Sequence, residues 1–263
     1  MSIYEYRPLL YYCAALALCL GASLGSFLNC AAWRIAHGES FVKGRSRCPA
    51  SGHTLGPPDL VPVFSWLFLR GKCRYCGERI SPRYVLAELL FAALTLACLL
   101  RFDLGVECLR NLVFLCCLFC LSLVDLEIWE IPDGCLLVAA AVWLAALPFL
   151  WQGWPAALSH VLCGVLVGVG VLLLSLVMDR VLQKESMGGG DIKLFALVGL
   201  YLGFYRTVFT LLLSCVLGLL FVLISRRGRG KPFPFGPAIS AAAAVLLLWG
   251  DGIVDWYLGL FLR

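Results

Sequence analysis

The chain has 263 residues, of which 62% are hydrophobic and only 14% are charged, and its mean hydropathy is +0.92. This composition excludes an ordinary soluble domain and indicates a protein that lies in a lipid bilayer. The formal net charge of +5 does not indicate a nucleic-acid partner, because the basic residues fall in loops beside apolar segments, where membrane topology explains them.

A first span is predicted at residues 9–29 and a second at residues 84–100, since a membrane helix needs about 20 mostly apolar residues. The first is predicted to stay uncleaved, because neither a strongly basic start nor a convincing small-residue cleavage site accompanies it. The polar loop between these spans is predominantly basic, which places it in the cytoplasm by the positive-inside rule. Its basic residues are Arg34, Lys43, Arg45, Arg47, Arg70, Lys72, Arg74, Arg79 and Arg83, against Glu39, Asp59 and Glu78.

The chain is predicted to re-enter the membrane from residue 111 and to reach the cytoplasmic face at Asp125. Further spans are predicted at residues 134–151 and 157–178, so that the polar stretch 179–191 is cytoplasmic again. The apolar run 192–225 is predicted to be a hairpin that turns near Gly203 to Thr207, because a single crossing would place the basic cluster 226–231 outside. A last span covers residues 233–249.

These spans predict an all-α fold, a polytopic membrane protein of about eight transmembrane helices with one larger cytoplasmic loop. We divide the chain into a first transmembrane helix at residues 1–30, the cytoplasmic loop at residues 31–83 and a transmembrane core at residues 84–263. The lipid bilayer is therefore the partner that surrounds most of the chain.

Two aspartates stand out because the topology brings them to the same membrane face. Asp125 ends one predicted helix and Asp191 begins another, and ionisable groups at membrane depth are costly and commonly mark function. A two-carboxylate hydrolase needs one ionised group to take a proton from water and one protonated group to polarise the scissile carbonyl. Close like charges enforce that difference. From position alone, the alternative is that both are juxtamembrane charges or helix caps.

The residues around this pair also carry predictions. Gly189 and Gly190 precede Asp191, and without a Cβ they allow strained φ values and let a peptide backbone approach closely. Lys193 is predicted to pair with a nearby acid or to extend its ammonium to the inner interface. Asp133, which follows Pro132, is predicted to be a helix N-cap and not a catalyst.

A series of motifs extends along most of the chain, and the ordered set is much more specific than its Gly-x-Gly-Asp element alone. In this order the motifs resemble those of bacterial type IV prepilin peptidases. They are Gly21-Ala-Ser-Leu-Gly-Ser-Phe-Leu-Asn29 with Trp33-Arg34, Asp59-Leu-Val-Pro-Val-Phe-Ser-Trp66, Leu69-Arg-Gly-Lys-Cys-Arg-Tyr-Cys76, Ile80-Ser-Pro-Arg-Tyr84, Glu88-Leu-Leu90, Asp125-Leu-Glu-Ile-Trp-Glu-Ile-Pro-Asp133, Met187-Gly-Gly-Gly-Asp-Ile-Lys-Leu194 and Pro234-Phe-Gly-Pro237.

The resemblance implies an aspartic endopeptidase of the bacterial inner membrane, with Asp125 and Asp191 as its catalytic pair facing the cytoplasm. Its substrates would be type IV prepilins or pseudopilins, whose basic leader is removed after a glycine. Gly189, Gly190 and Lys193 are then predicted to lie where the substrate approaches. Many members of the family also methylate the new N-terminus, with S-adenosylmethionine as methyl donor.

Most of the fourteen cysteines lie in apolar runs and are predicted to be small core residues. In the polar loop, Cys48-x-x-Ser51 and Cys73-x-x-Cys76 resemble the paired zinc knuckle of the family, with Ser51 where a cysteine is expected. A structural zinc site needs four ligands, so we predict Cys48, His53, Cys73 and Cys76. The alternative is a decayed knuckle whose loop packs Trp66, Phe64 and Leu67 against the membrane face. A disulfide is disfavoured in a reducing compartment, and the incomplete pattern puts methyl transfer in question.

Two other classes of protein have comparable helices. A secondary transporter carries intramembrane carboxylates near the midplane and often inverted repeats, whereas these aspartates lie at one face and no repeat is visible. A non-catalytic component of a secretion or pilus assembly system would keep the fold and the basic loops without needing both aspartates. Undiminished cleavage by an Asp191→Asn variant would favour that component.

Overall fold

The computed structural model describes residues 3–41, 44–48, 51–184, 187–224 and 233–261. Within these ranges the chain is mainly helical, and the only β-type pairings are isolated bridges. The helices are α1 (Arg7–Ala36), α2 (Phe64–Phe68), α3 (Arg83–Phe102), α4 (Val106–Ile128), α5 (Asp133–Ala146), α6 (Trp154–Leu182), α7 (Gly189–Leu202), α8 (Phe204–Ile224) and α9 (Gly236–Phe261). The basic cluster 226–231 and Lys43 lie outside the described residues.

Six of these helices, α1, α3, α4, α6, α8 and most of α9, are long and apolar enough to cross a membrane. The predicted all-α polytopic membrane protein is therefore confirmed. Helices α5 and α7 have only 14 residues each, so the predicted count of eight spans stays a prediction. The predicted division at residues 30 and 83 also stays a prediction.

The chain forms two compact units, Met1–Leu112 and Val113–Arg263. In the first unit, α1 packs closely on α3 through two small residues. A Cβ at Gly21 would stand 2.7 Å from the Cα of Ala92, and one at Gly25 would stand 3.0 Å from the Cα of Glu88. Small residues allow this approach, which is a common way for membrane helices to associate.

In the second unit, α6 packs on α7 in the same manner. A Cβ at Gly199 would lie 3.0 Å from the Cα of Gly164. The apolar run 192–225 breaks at Gly203, whose φ is +74°, so α7 ends there and α8 begins at the next residue. The predicted break near Gly203 is confirmed, because a left-handed φ is readily adopted only without a Cβ, and the transmembrane hairpin itself stays a prediction.

Candidate active site

Asp125 lies in the last turn of α4 and is only 4% exposed. The backbone N–H of Gly236 donates a hydrogen bond of 2.9 Å to its Oδ2. Gly236 is the first residue of α9, and amides at a helix N-terminus have no partner inside the helix and favour negative charge. This hydrogen bond therefore stabilises the carboxylate form of Asp125.

Asp191 lies in the first turn of α7, directly before the predicted span and outside the six candidate membrane helices. Its own N–H donates to the carbonyl of Gly188 at 3.1 Å. Burial, and then the charge of Asp125, raise the pKa of Asp191 above its ordinary value. The two predicted catalytic aspartates thus interact electrostatically, and Asp191 holds its proton more strongly than an ordinary carboxyl does.

Ile131, in the connection between α4 and α5, contacts the surroundings of both aspartates. A Cβ at Gly190 would stand 2.9 Å from the Cβ of Ile131, and one at Gly236 would stand 3.4 Å from its Cδ1. The Gly236 position is tighter still toward Asp125, because the same Cβ would be 2.7 Å from Oδ2. The start of α7, the start of α9 and the end of α4 therefore converge around one side chain.

The glycines before Asp191 differ in what surrounds them. Gly188, Gly189 and Gly190 all lack a positive φ, so the strained φ values that glycine allows are not adopted here. Gly190 is small because Ile131 packs against it, whereas a Cβ at Gly189 would meet nothing within 4 Å. Gly189 is therefore the position with open space beside Asp191, and its predicted place on the substrate path stays a prediction.

Lys193 binds Asp133, with its Nζ 2.7 and 3.0 Å from the two carboxylate oxygens. Lys193 thus takes the first of its two predicted alternatives. The predicted N-cap role of Asp133 is wrong, because Pro132 is the N-cap and Asp133 is the first helical residue. A carboxylate in the first turn still faces the positive end of the helix dipole, and here it also joins α5 to α7.

The structure gathers three of the four predicted metal ligands. The Sγ atoms of Cys48, Cys73 and Cys76 lie within 4.8 Å of one another, and those of Cys48 and Cys76 are 3.7 Å apart. Zinc–thiolate bonds of about 2.3 Å in a tetrahedron place sulfurs roughly 3.8 Å apart. Three thiols at this spacing fit a zinc ion.

The two cysteine turns have the same backbone hydrogen bonds. Gly52 N–H donates to Cys48 O at 2.8 Å, as Gly77 N–H donates to Cys73 O at 2.9 Å. The N–H of Cys48 donates to the carbonyl of His53, and that of Cys73 donates to the carbonyl of Glu78, at 2.8 Å in both cases. Because the turns correspond residue by residue, Ser51 stands at the position of Cys76.

The ring of His53 packs against that of Tyr75, with the centroids 4.0 Å apart and the ring planes inclined by 41°. Among the described residues, the metal-compatible cluster contains the three cysteines without His53. The part of His53 that serves the turn here is its carbonyl, and its role as fourth ligand stays a prediction.

Gly236 and Ile131 complete the candidate site and were not predicted as site residues. Both fall inside quoted motifs, Pro234-Phe-Gly-Pro237 and Asp125 to Asp133. A glycine followed by proline at the start of an apolar run is a signal for a helix N-terminus with a donor amide. No local pattern indicates which carboxylate that amide binds, 111 residues away.

The fold and the site together define a class of protein. It is an all-α polytopic membrane protein with two interacting carboxylates at helix ends. The chain belongs to the type IV leader peptidase family, which its residues 112–223 match under that description. Residues 19–102 match the Bacterial Peptidase A24 N-terminal domain.

Several relatives are similar over most of the chain. A prepilin leader peptidase/N-methyltransferase of Bacillus subtilis (strain 168) is 34% identical over 247 residues, which are 90% of this chain and 95% of the relative. A protein with the same name from Pseudomonas putida is 35% identical, over 92% of this chain and 92% of its own length. Another from Aeromonas salmonicida (strain A449) is 36% identical, over 83% of this chain and 76% of its own length. No solved structure matches the chain.

Proposed function

We propose that this protein is a membrane aspartic endopeptidase that removes the leader peptide of type IV prepilins or pseudopilins, with Asp125 and Asp191 as its catalytic pair. The unequal surroundings of the two carboxylates carry this proposal. Asp125 accepts a backbone N–H, and the pKa of Asp191 is raised by burial and by the charge of Asp125. One ionised and one protonated carboxyl is the arrangement that acid/base peptide hydrolysis requires.

In this mechanism Asp125 is the base and Asp191 is the acid. The Asp125 carboxylate takes a proton from water while the water oxygen attacks the scissile carbonyl carbon. Asp191 donates its proton to the carbonyl oxygen, so no isolated charge develops on the tetrahedral intermediate. Collapse of that intermediate breaks the C–N bond. The proton held by Asp125 passes to the leaving amine, and one hydroxyl of the intermediate returns its proton to Asp191 as the new carbonyl forms.

The substrate is proposed to reach the pair along the start of α7. Gly189 offers open space beside Asp191, and Lys193, two residues beyond, is held by Asp133 at that end of the helix. The excess of basic residues in the 31–83 loop supports a cytoplasmic position for this face in the bacterial inner membrane.

A second activity is proposed on the basis of the relatives, whose name includes N-methyltransferase. S-adenosylmethionine would supply the methyl group for the new terminal amine. A zinc ion held by Cys48, Cys73 and Cys76, with His53 as the predicted fourth ligand, would join the two turns of the polar loop and stabilise their fold.

The proposal is tested by incubating the full-length protein, in membranes or reconstituted in lipid, with a prepilin and measuring the N-terminus of the product by mass spectrometry. We expect a product shortened by the leader, and a further 14 Da methyl increment when S-adenosylmethionine is present. A prepilin that stays intact with folded protein would contradict the peptidase assignment. A shortened product without the methyl increment would contradict the second activity alone.

A further inference from the structure

The first unit contains a cavity that the proposed peptidase chemistry does not use. It has a volume of about 420 Å³ and lies between α2 and the start of α3. Its lining includes the indole of Trp66, the cations Arg70, Lys72 and Arg79, and Ser81 and Pro82.

The wall of this cavity is held by specific contacts. The Trp66 indole N–H donates to the carbonyl of Ile80 at 3.1 Å, and the chain on either side is joined by an antiparallel bridge between Lys72 and Arg79. A Cβ at Gly71, whose φ is +69°, would stand 2.9 Å from the Trp66 ring. The indole therefore packs directly against Gly71, and a larger residue at this position would force the ring or the backbone to move.

The charge of the cavity is entirely positive. Arg70, Lys72 and Arg79 line it and no acidic side chain does. Within the part of the chain that the structure describes, none of these three cations forms an ion pair. Arg70 also has a left-handed φ of +50°, a strained conformation that in proteins is concentrated at ligand sites and turns. Three cations around one concavity favour an anion.

The position of the cavity indicates which anion it meets. Pro82 lines it, and the candidate membrane span α3 begins at the next residue. The N–H of Val63, at the start of α2, donates to the buried carboxylate of Glu88 in α3 at 2.7 Å. Because α2 is tied to a membrane helix in this way, the cavity lies beside the predicted cytoplasmic end of that span, where lipid headgroups are expected.

Helix α2 itself has an exposed apolar face. Phe64, Leu67 and Phe68, at spacing i, i+3 and i+4, share this face, and Phe68 is 81% exposed. A short apolar face beside cations is typical of segments that lie in the membrane interface. The bilayer surface would cover this face while its headgroups meet the cations.

We propose that this cavity binds the phosphodiester headgroup of an anionic phospholipid, with the apolar face of α2 among the acyl chains. Arginine guanidinium groups bind phosphate oxygens in pairs, and indole rings prefer the headgroup level. An acidic peptide would meet the same cations but would leave the face of α2 uncovered. The proposal is independent of the peptidase mechanism.

The test is a lipid titration of the full-length protein by native mass spectrometry, with phosphatidylglycerol and phosphatidylcholine of identical acyl chains. The variant is Arg70→Gln with Lys72→Gln and Arg79→Gln. Each cation at a membrane surface contributes roughly a fivefold factor to anionic lipid binding. We expect the native protein to prefer phosphatidylglycerol and this triple variant to lose that preference by about tenfold or more.

A matched control removes the same number of charges from the same predicted membrane face, as Arg45→Gln, Arg47→Gln and Lys184→Gln. Its preference is expected to stay within about twofold of the native value. If both triple variants lose the preference for phosphatidylglycerol equally, the proposal is overturned. The preference would then come from the positive charge of the whole predicted cytoplasmic face and not from this cavity.

Folding and ligand class are settled by further arms of the same titration. The variant Arg70→Lys with Arg79→Lys keeps the charges and is expected to keep most of the preference for phosphatidylglycerol. If the triple glutamine variant folds and its preference is unchanged, the proposed site is overturned. If the triple variant does not fold, Lys72→Gln and Arg79→Gln are measured singly, and no loss in either would overturn it. Displacement of the lipid by inorganic phosphate at equal concentration would also overturn the proposal, because the cavity would then be a site for free phosphate. Displacement by an acidic peptide would overturn it as well, because the cavity would then be a peptide site.

Discussion

Gly236 donates its backbone N–H to the Oδ2 of Asp125, and a methyl group added at Gly236 would stand 2.7 Å from that oxygen. One residue of α9 thus holds a carboxylate of α4 with a hydrogen bond and leaves no space between them. This contact fixes the position and favours the charge of the group proposed as the catalytic base.

Gly236→Ala is therefore expected to impair leader cleavage. The added Cβ displaces the Asp125 carboxylate, and a hydrogen bond to a charged group contributes about 1.5–3 kcal/mol, which corresponds to roughly a 10- to 100-fold loss of kcat. The control is Gly252→Ala in the same helix, where a Cβ meets nothing within 4 Å. Equal kcat values for the two variants would show that the Gly236 contact has no catalytic consequence.

Lys193 and Asp133 are expected to contribute little as a pair. Their side chains are 58% and 62% exposed, and exposed ion pairs stabilise by about 0–1 kcal/mol. Asp133→Asn should therefore reduce cleavage by less than about fivefold. Lys193→Asp should reduce it more, and the exchanged pair Lys193→Asp with Asp133→Lys should recover part of the loss. If the exchanged pair cleaves as slowly as Lys193→Asp alone, Lys193 acts on the substrate and not through Asp133.

The ionisation of Asp191 is expected to depend on Asp125. The charge of Asp125 disfavours a second negative charge nearby, so Asp125→Asn should lower the pKa of Asp191, while burial keeps it above the ordinary carboxyl value. Infrared titration of the protonated carboxyl band, assigned by its loss in Asp191→Asn, measures this shift. A pKa of Asp191 that does not change in Asp125→Asn would mean that the two carboxylates are not coupled.

The features that were predicted from sequence have local signals. Asp125 and Asp191 each interrupt an apolar run, and Gly203 lies inside a run too long for one span. The contacts that were not predicted are tertiary. The amide of Gly236 reaches Asp125 and the carboxylate of Asp133 reaches Lys193 across 60 residues, and neither hydrophobic periodicity nor capping statistics specify such partners. Asp133 was misassigned because the residue after a proline resembles an N-cap in sequence, although here the proline takes that position.

The cysteine cluster predicts about one zinc per chain in carefully purified protein, as a structural tetrahedral site requires. His53→Ala should lower the zinc content, because it removes the predicted fourth ligand. Ser51→Cys should restore zinc in the His53→Ala background, since Ser51 occupies the position that corresponds to Cys76. Metal analysis by mass spectrometry measures both. An absence of zinc in native protein and in Ser51→Cys would show that packing alone holds the loop.

The central claim is that Asp125 and Asp191 together perform peptide hydrolysis. It is tested most directly by the leader-cleavage rates of reconstituted Asp125→Asn and Asp191→Asn, with Asp255→Asn, an exposed aspartate of α9, as the matched control. Each substitution in the pair removes one half of the acid/base system, so both variants should insert and fold normally and cleave at least about a thousandfold more slowly, while the control cleaves at the native rate. Cleavage at the native rate by either Asp125→Asn or Asp191→Asn would contradict the account.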